Sequence, residues 1–184
     1  MNQIVILSGS PSSASRTEAV LRELGRLLGD RGFHVVHFSV SDFNPVTLCR
    51  GHYDSKEIQT LTHRLKEAAG VVIGSPVYKA SYSGVLKGLL DLLPEDTLEG
   101  KPVLPIMTGG SGKHLLAIEY ALKPLLAELK GEPLQGVYLL DKQIDRTSLP
   151  VIHDAVLLER IHKQLEQFIQ KTGEQKLAVS QKRQ

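Results

Sequence analysis

Of the 184 residues none is tryptophan, two are methionine and one, Cys49, is cysteine. A single thiol excludes an intrachain disulfide and a cysteine-based metal cluster. Set between Leu48 and Arg50, Cys49 reads as an incidental thiol rather than a nucleophile. The seven histidines are scattered, without the paired i, i+4 histidines or the carboxylate grouping of a metal site, so no metal is expected. An excess of one charge is missing as well: 22 Lys and Arg stand against 20 Asp and Glu, and no basic stripe is interleaved with aromatics. A nucleic-acid surface built on a strong basic field is therefore not expected. No apolar run reaches the roughly 20 residues of a membrane span. The chain opens directly into a strand-like run, so neither a leader nor a membrane partner is expected, and the cytoplasm is the expected location.

What the chain does have is alternation. Apolar strand runs at 3–7, 34–38, 70–74, 102–107 and 136–140 alternate with helical patterns at 17–28, 55–68, 83–93, 113–129 and 153–170. Such alternation implies an α/β domain in which a five-stranded parallel sheet carries helices on both faces. The domain is expected to span residues 1–171, with a polar, mobile tail at 172–184 that includes Lys176, Lys182 and Arg183. The stretch 39–52 is expected as a longer loop that covers the active crevice or meets another subunit. In such sheets ligands bind beyond the carboxyl ends of strands near the topological switch point. The first, third and fourth strands here each run into a turn-rich segment.

The first segment, Ser8 to Thr17, packs six hydroxyls and Arg16 in front of a helical pattern. Hydroxyls, backbone N–H groups and a helix N-terminus suit a phosphate; an ordinary Ser-rich helix cap suits the same residues. Gly9 stands alone, so the three-glycine dinucleotide fingerprint is absent. The later Gly109 to His114 stretch fails as a nucleotide-triphosphate loop, because Met107 lies five before Gly112 and His114 replaces the required hydroxyl. A flavin mononucleotide phosphate, held without a metal, remains compatible. In the third-strand segment, 74–84, Pro76 cannot continue a central strand, and Tyr78 and Tyr82 supply aromatic surface. The fourth, Thr108 to Gly112, offers flexible backbone donors. Pro124 falls inside an otherwise strong helical pattern, four residues after Tyr120, where its ring and missing N–H demand a kink or a π-type turn.

Ser10-Pro11, Ser15-Arg16-Thr17, the turn Pro76 to Lys79 with its continuation Ser81 to Lys87, and Thr108-Gly109-Gly110 resemble the NADPH-dependent FMN reductases of flavodoxin-like fold. The likeness covers nearly all of residues 1–170. Asp91 to Pro94 and Tyr120 to Pro124 carry a closer likeness to the members that serve alkanesulfonate utilisation. The resemblance implies a three-layer flavodoxin-like sandwich and an oxidoreductase using FMN and NADPH. It implies hydride transfer to FMN, and reduced FMN supplied to a flavin-dependent monooxygenase in alkanesulfonate desulfonation and sulfur assimilation. By the same resemblance Ser10, Ser15, Arg16 and Thr17 hold the phosphate, while Pro76, Val77, Tyr78 and Ser81 line the ring. Thr108, Gly109 and Gly110 meet its polar edge. No catalytic acid or base is obligatory, and Tyr120, on a π-helix at a subunit interface, is implicated in flavin exchange. Apolar surface on the helices at 83–93 and 115–129 predicts a homodimer or homotetramer. Two alternatives stay open: a flavin-retaining quinone or azo reductase, and a flavodoxin-like electron carrier, which the near-neutral charge disfavours.

Overall fold

The computed structural model describes the backbone of residues 2–181 and the surroundings of side chains through residue 174. Six parallel strands form one sheet: β1 (Gln3–Ser8), β2 (His34–Ser39), β3 (Gly70–Pro76), β4 (Pro102–Gly109), β5 (Glu132–Pro133) and β6 (Val137–Leu140). The order is β2-β1-β3-β4, with β5 and β6 both pairing β4. Together these last two occupy the single fifth position expected. The strand is split because Gly136 takes a positive φ of 78° against Pro105, whose carbonyl oxygen lies 2.5 Å from where a Cβ would stand. Gly136 is thus a break in the ladder, not the expected first residue of the strand.

The helices are α1 (Arg16–Asp30), α2 (Pro45–Arg50), α3 (Lys56–Glu67), α4 (Gly84–Leu90), α5 (Lys123–Glu128) and α6 (Ala155–Gln181). Side chains alternate across β1. Ile4 and Ile6 pack with Val72, Leu104 and Ile106 against α1 and α6 through Leu21, Leu24, Leu165 and Phe168; Val5 and Leu7 pack with Val71, Ile73 and Met107 under α3, α4 and α5. Two apolar layers enclose the sheet, the three-layer flavodoxin-like arrangement.

Three expectations shift in detail. The stretch 39–52 is regular, a 3-10 turn at Val40–Asp42 followed by α2, capped by Asn44 and ended by Gly51 at φ 71°. Helix α6 runs past residue 170 because Thr172 is buried and its Cγ2 lies 2.7 Å from where a Cβ on Gly70 would stand. The folded body therefore extends beyond 171, and Lys182 and Arg183 lie outside the described residues. The single helix expected over 113–129 is instead a 3-10 turn (Gly112–His114), a π-helix (Ile118–Leu122) and α5. No helix among the described residues is long and apolar enough to cross a membrane.

Candidate functional site

From β1 the chain passes to β2 on one side of the sheet, and β3 lies on the other. The carboxyl ends of β1 and β3 therefore flank the switch point, where the crevice of a doubly wound sheet opens. The first loop ends in α1, with Ser15 as N-cap: its Oγ accepts the Glu18 N–H at 3.1 Å. Arg16 occupies the first helical position and is exposed. Ser15 is thus a helix cap, as one reading of the loop required, yet its hydroxyl proton remains free to donate. Ser10 is buried, and its Oγ donates to Ser12 O at 3.2 Å.

Hydrogen bonds tie the three loops into one body. Thr17 Oγ1 and Thr108 Oγ1, buried, lie 2.6 Å apart and join the first loop to the fourth strand. Gly9 N–H donates to Gly74 O at 2.7 Å, and Ser83 Oγ donates to Gly9 O at 2.5 Å. Ser83 N–H reaches Ser75 Oγ at 2.9 Å, and Val77 N–H reaches Thr108 O at 2.8 Å. Pro76 does end a strand, but from inside it: it is the last residue of β3, opposite Thr108. Its missing N–H falls where the ladder stops.

Beyond Pro76 a tight hairpin turn forms, Tyr78 and Ser81 exchanging both backbone bonds at 2.8 and 3.1 Å. Lys79 (φ 51°) and Ala80 (φ 64°) both take left-handed conformations there. That turn favours Asn-Gly; two residues with Cβ atoms hold it at a cost, the strain characteristic of functional loops. Tyr78 is exposed, whereas Val77 and Tyr82 are half-buried against the core. At the fourth loop Gly109 is buried where a Cβ would strike the Tyr138 hydroxyl, and that hydroxyl donates to Ser111 O at 2.7 Å. Burial and neighbouring Asp141 push the Tyr138 phenol above its ordinary range, so it stays a donor at neutral pH. Gly110 is exposed, Ser111 caps Lys113 N–H at 3.2 Å, and His114 closes the 3-10 turn.

Behind the first loop sits Glu18, buried, its Oε1 3.1 Å from both Arg22 Nε and His37 Nε2. Burial raises its pKa, but His37, Ser8 and Arg22 more than reverse this and hold the carboxyl at about 2. A carboxylate whose folded pKa is depressed stabilises the fold above its unfolded pKa, and that contribution is lost as pH falls from about 4.5 towards 2. Urea unfolding of the wild type and Glu18→Gln is expected to show a stability gap that narrows by about 2–3 kcal/mol between pH 7 and pH 2.5. A gap independent of pH would overturn the assignment.

The π-helix follows from Pro124. Lys123 N–H donates to Ile118 O, five residues back, so one residue is bulged out of the α-helical spacing. Tyr120 lies in the middle of this turn and is 79% exposed, beside Leu115 and Leu116 at 54% and 51%.

This geometry meets the comparisons with known proteins. The family model described as NADPH-dependent FMN reductase matches residues 2–145. The chain belongs to that family. An FMN reductase (NADPH) of Pseudomonas putida is 45% identical, covering 90% of this chain and 85% of the relative. An FMN reductase (NADPH) of Escherichia coli is also 45% identical, covering 77% and 75%. A solved NADH:FMN oxidoreductase, EMOB, in its apo form, superposes with a TM-score of 0.80 at 32% identity, covering 91% of this chain and 88% of that one. The chain is an NAD(P)H-dependent FMN reductase, an oxidoreductase that uses FMN and NADPH.

Sequence reasoning located the three loops of this reductase but missed Ser75, Ser83, Tyr138 and Arg146. Ser83 carried a legible signal, a serine just before a helical pattern. Tyr138 and Arg146 carried none, since their partners Ser111 and Ala14 are reached only in the folded chain.

Proposed function

We propose that the flavin site is the interlocked edge formed by the loops after β1, β3 and β4. The observation that carries this reading is the buried Thr17–Thr108 bond, which fixes a hydroxyl-rich helix N-terminus against the end of β4. Ser10, Ser15, Arg16 and Thr17 hold the phosphate, helped by the α1 N-terminus. Pro76, Val77, Tyr78 and Ser81 line the ring, with Thr108, Gly109 and Gly110 at its polar edge. The residues fit such a ligand: the Ser15 hydroxyl accepts the Glu18 N–H and keeps its own proton to donate, Arg16 is exposed at the α1 N-terminus, and the strained hairpin at Lys79 and Ala80 holds Tyr78 out of the core. With both molecules bound, the chemistry supplied there would be hydride transfer from NADPH to FMN, which belongs to the two cofactors. The protein positions the reactants, excludes water from one face and directs backbone donors to the ring edge where negative charge develops. No side chain is required to move a proton.

In this reading FMN is a substrate that leaves, Tyr120 on the π-helix serves its exchange, and reduced FMN passes to a flavin-dependent monooxygenase in alkanesulfonate desulfonation and sulfur assimilation. The likeness of Asp91 to Pro94 and Tyr120 to Pro124 to that group supports it, as does the π-helix at Ile118–Leu122. The test is NADPH oxidation by purified protein whose absorption spectrum has first been recorded. Turnover driven by added FMN, with reduced FMN appearing in solution, is the expected result. Stoichiometric retained flavin, with NADPH consumed only when quinone or azo dye is added, would overturn it. Leu115, Leu116 and Tyr120 form an exposed apolar patch, which supports a homodimer or homotetramer. Light scattering at micromolar concentration is expected to give two or four times the 20.2 kDa chain mass; a monomer would refute the assembly.

A further inference from the structure

The segment after β6 is folded tightly on itself. Asp145 N–H donates to Val151 O at 2.8 Å, and Ile144 bridges Ile152 in antiparallel fashion. Asp145 Oδ1 accepts from Thr147 N–H at 2.9 Å and Thr147 Oγ1 at 2.6 Å, while Ser148 Oγ lies 2.8 Å from His153 Nε2. This braced loop presents Arg146, whose Nη1 donates to the carbonyl of Ala14, 132 residues away in sequence. Ala14 stands between the serines of the first loop. Among the described residues the other guanidinium donors of Arg146 have no protein partner, and the neighbouring carboxylate, Asp145, is turned to Thr147 instead.

A phosphate monoester carries about −1.5 to −2 charges at neutral pH. Within the first loop only Arg16 bears a formal positive charge, and it is exposed. Arg146 brings a second guanidinium to the same loop from the opposite end of the chain, on a fork geometry that suits phosphate oxygens. We propose that Arg146 is a specificity-determining residue for the phosphate-bearing flavin, closing the first loop on the phosphate monoester and supplying its second positive charge. The assignment rests on the reading of that loop as the flavin phosphate site. It separates FMN from riboflavin, which has the same ring and no phosphate.

The test is steady-state kinetics of the full chain and its Arg146→Gln and Arg146→Lys variants. FMN and riboflavin serve as acceptors at saturating NADPH, and NADPH and NADH as donors at saturating FMN. Arg146→Gln is expected to raise KM for FMN about tenfold, the loss of one charge-assisted hydrogen bond, and to shift KM for riboflavin less than twofold. Arg146→Lys keeps the charge and should recover part of the loss. Added salt should raise KM for FMN more steeply in the wild type than in Arg146→Gln. Equal losses with both acceptors would reduce Arg146 to a loop brace and overturn the proposal. So would an altered NADPH-to-NADH preference with FMN-over-riboflavin discrimination intact, because the phosphate served would then be the nucleotide's. A wild type that does not discriminate FMN from riboflavin would overturn the phosphate reading of the first loop along with Arg146; discrimination that survives in Arg146→Gln would overturn Arg146 alone.

Discussion

Tyr120→Ala is expected to yield a protein that purifies with bound flavin and reduces free FMN about a hundredfold more slowly than the wild type, a barrier change of about 2.7 kcal/mol. The expectation rests on a division of labour within one short helix. Ile118 and Leu122 are buried and anchor the turn, whereas Tyr120 projects outward and contributes almost nothing to the single chain's core. Removing its ring therefore costs little folding energy, and a large kinetic loss would report function rather than damage. The absorption spectrum of the purified variant and its NADPH oxidation rate with added FMN are the two readouts. Flavin-free protein with undiminished turnover would separate the π-helix from flavin exchange.

The π-helix itself is a sequence-imposed feature. A proline four residues after Tyr120 has no N–H to offer the Tyr120 carbonyl and brings a ring against it, so regular α spacing is obstructed there. The chain resolves the conflict by moving the Lys123 N–H to Ile118 O. A turn held open in this way widens the helix, and exposed Leu115 and Leu116 on the preceding turn give that widened segment an apolar surroundings suited to another subunit.

How far the chain could be read beforehand depended on the range of the forces involved. The sheet was legible because burial on both faces writes near-continuous apolar runs such as Ile4 to Leu7 and Val71 to Ile73, and the helices because their apolar faces repeat. Pro124 announced the π-helix through a clash four residues long. The split of the last strand was not legible, because Gly136 is forced by Pro105, on another strand. Nor was the reach of α6, which follows from Thr172 packing over Gly70. The candidate site divides in the same way. The loops at 8–17, 74–84 and 108–112 carry local turn chemistry and stood out, but the bonds that make them one body, Thr17 to Thr108 and Ser83 to Gly9, join positions 91 and 74 residues apart. Composition has no record of such pairs.

Ser83 shows what those long-range bonds are worth. Its Oγ donates to Gly9 O at 2.5 Å and accepts the Leu86 N–H at 3.1 Å, both buried, so one hydroxyl caps α4 and ties the first loop to the third. Alanine at this position leaves a buried carbonyl and a buried helix-end N–H without partners, since Ser83 is fully buried. Loss of a cap costs about 1 kcal/mol and an orphaned buried acceptor about 1–3 kcal/mol. For a chain of this size about 3 kcal/mol corresponds to a fall in Tm of about 6–12 °C. Ser83→Ala is therefore expected to melt at least 6 °C below the wild type, and to raise KM for FMN because the Gly9 carbonyl is no longer tied to the start of α4. Ser83→Thr keeps the hydroxyl and should retain most of the stability if the added methyl is accommodated. A Ser83→Ala protein that melts within 2 °C of the wild type with unchanged KM would show that the two loops are held together by apolar packing around Leu86, and that the hydrogen bonds between them carry little of the site's rigidity.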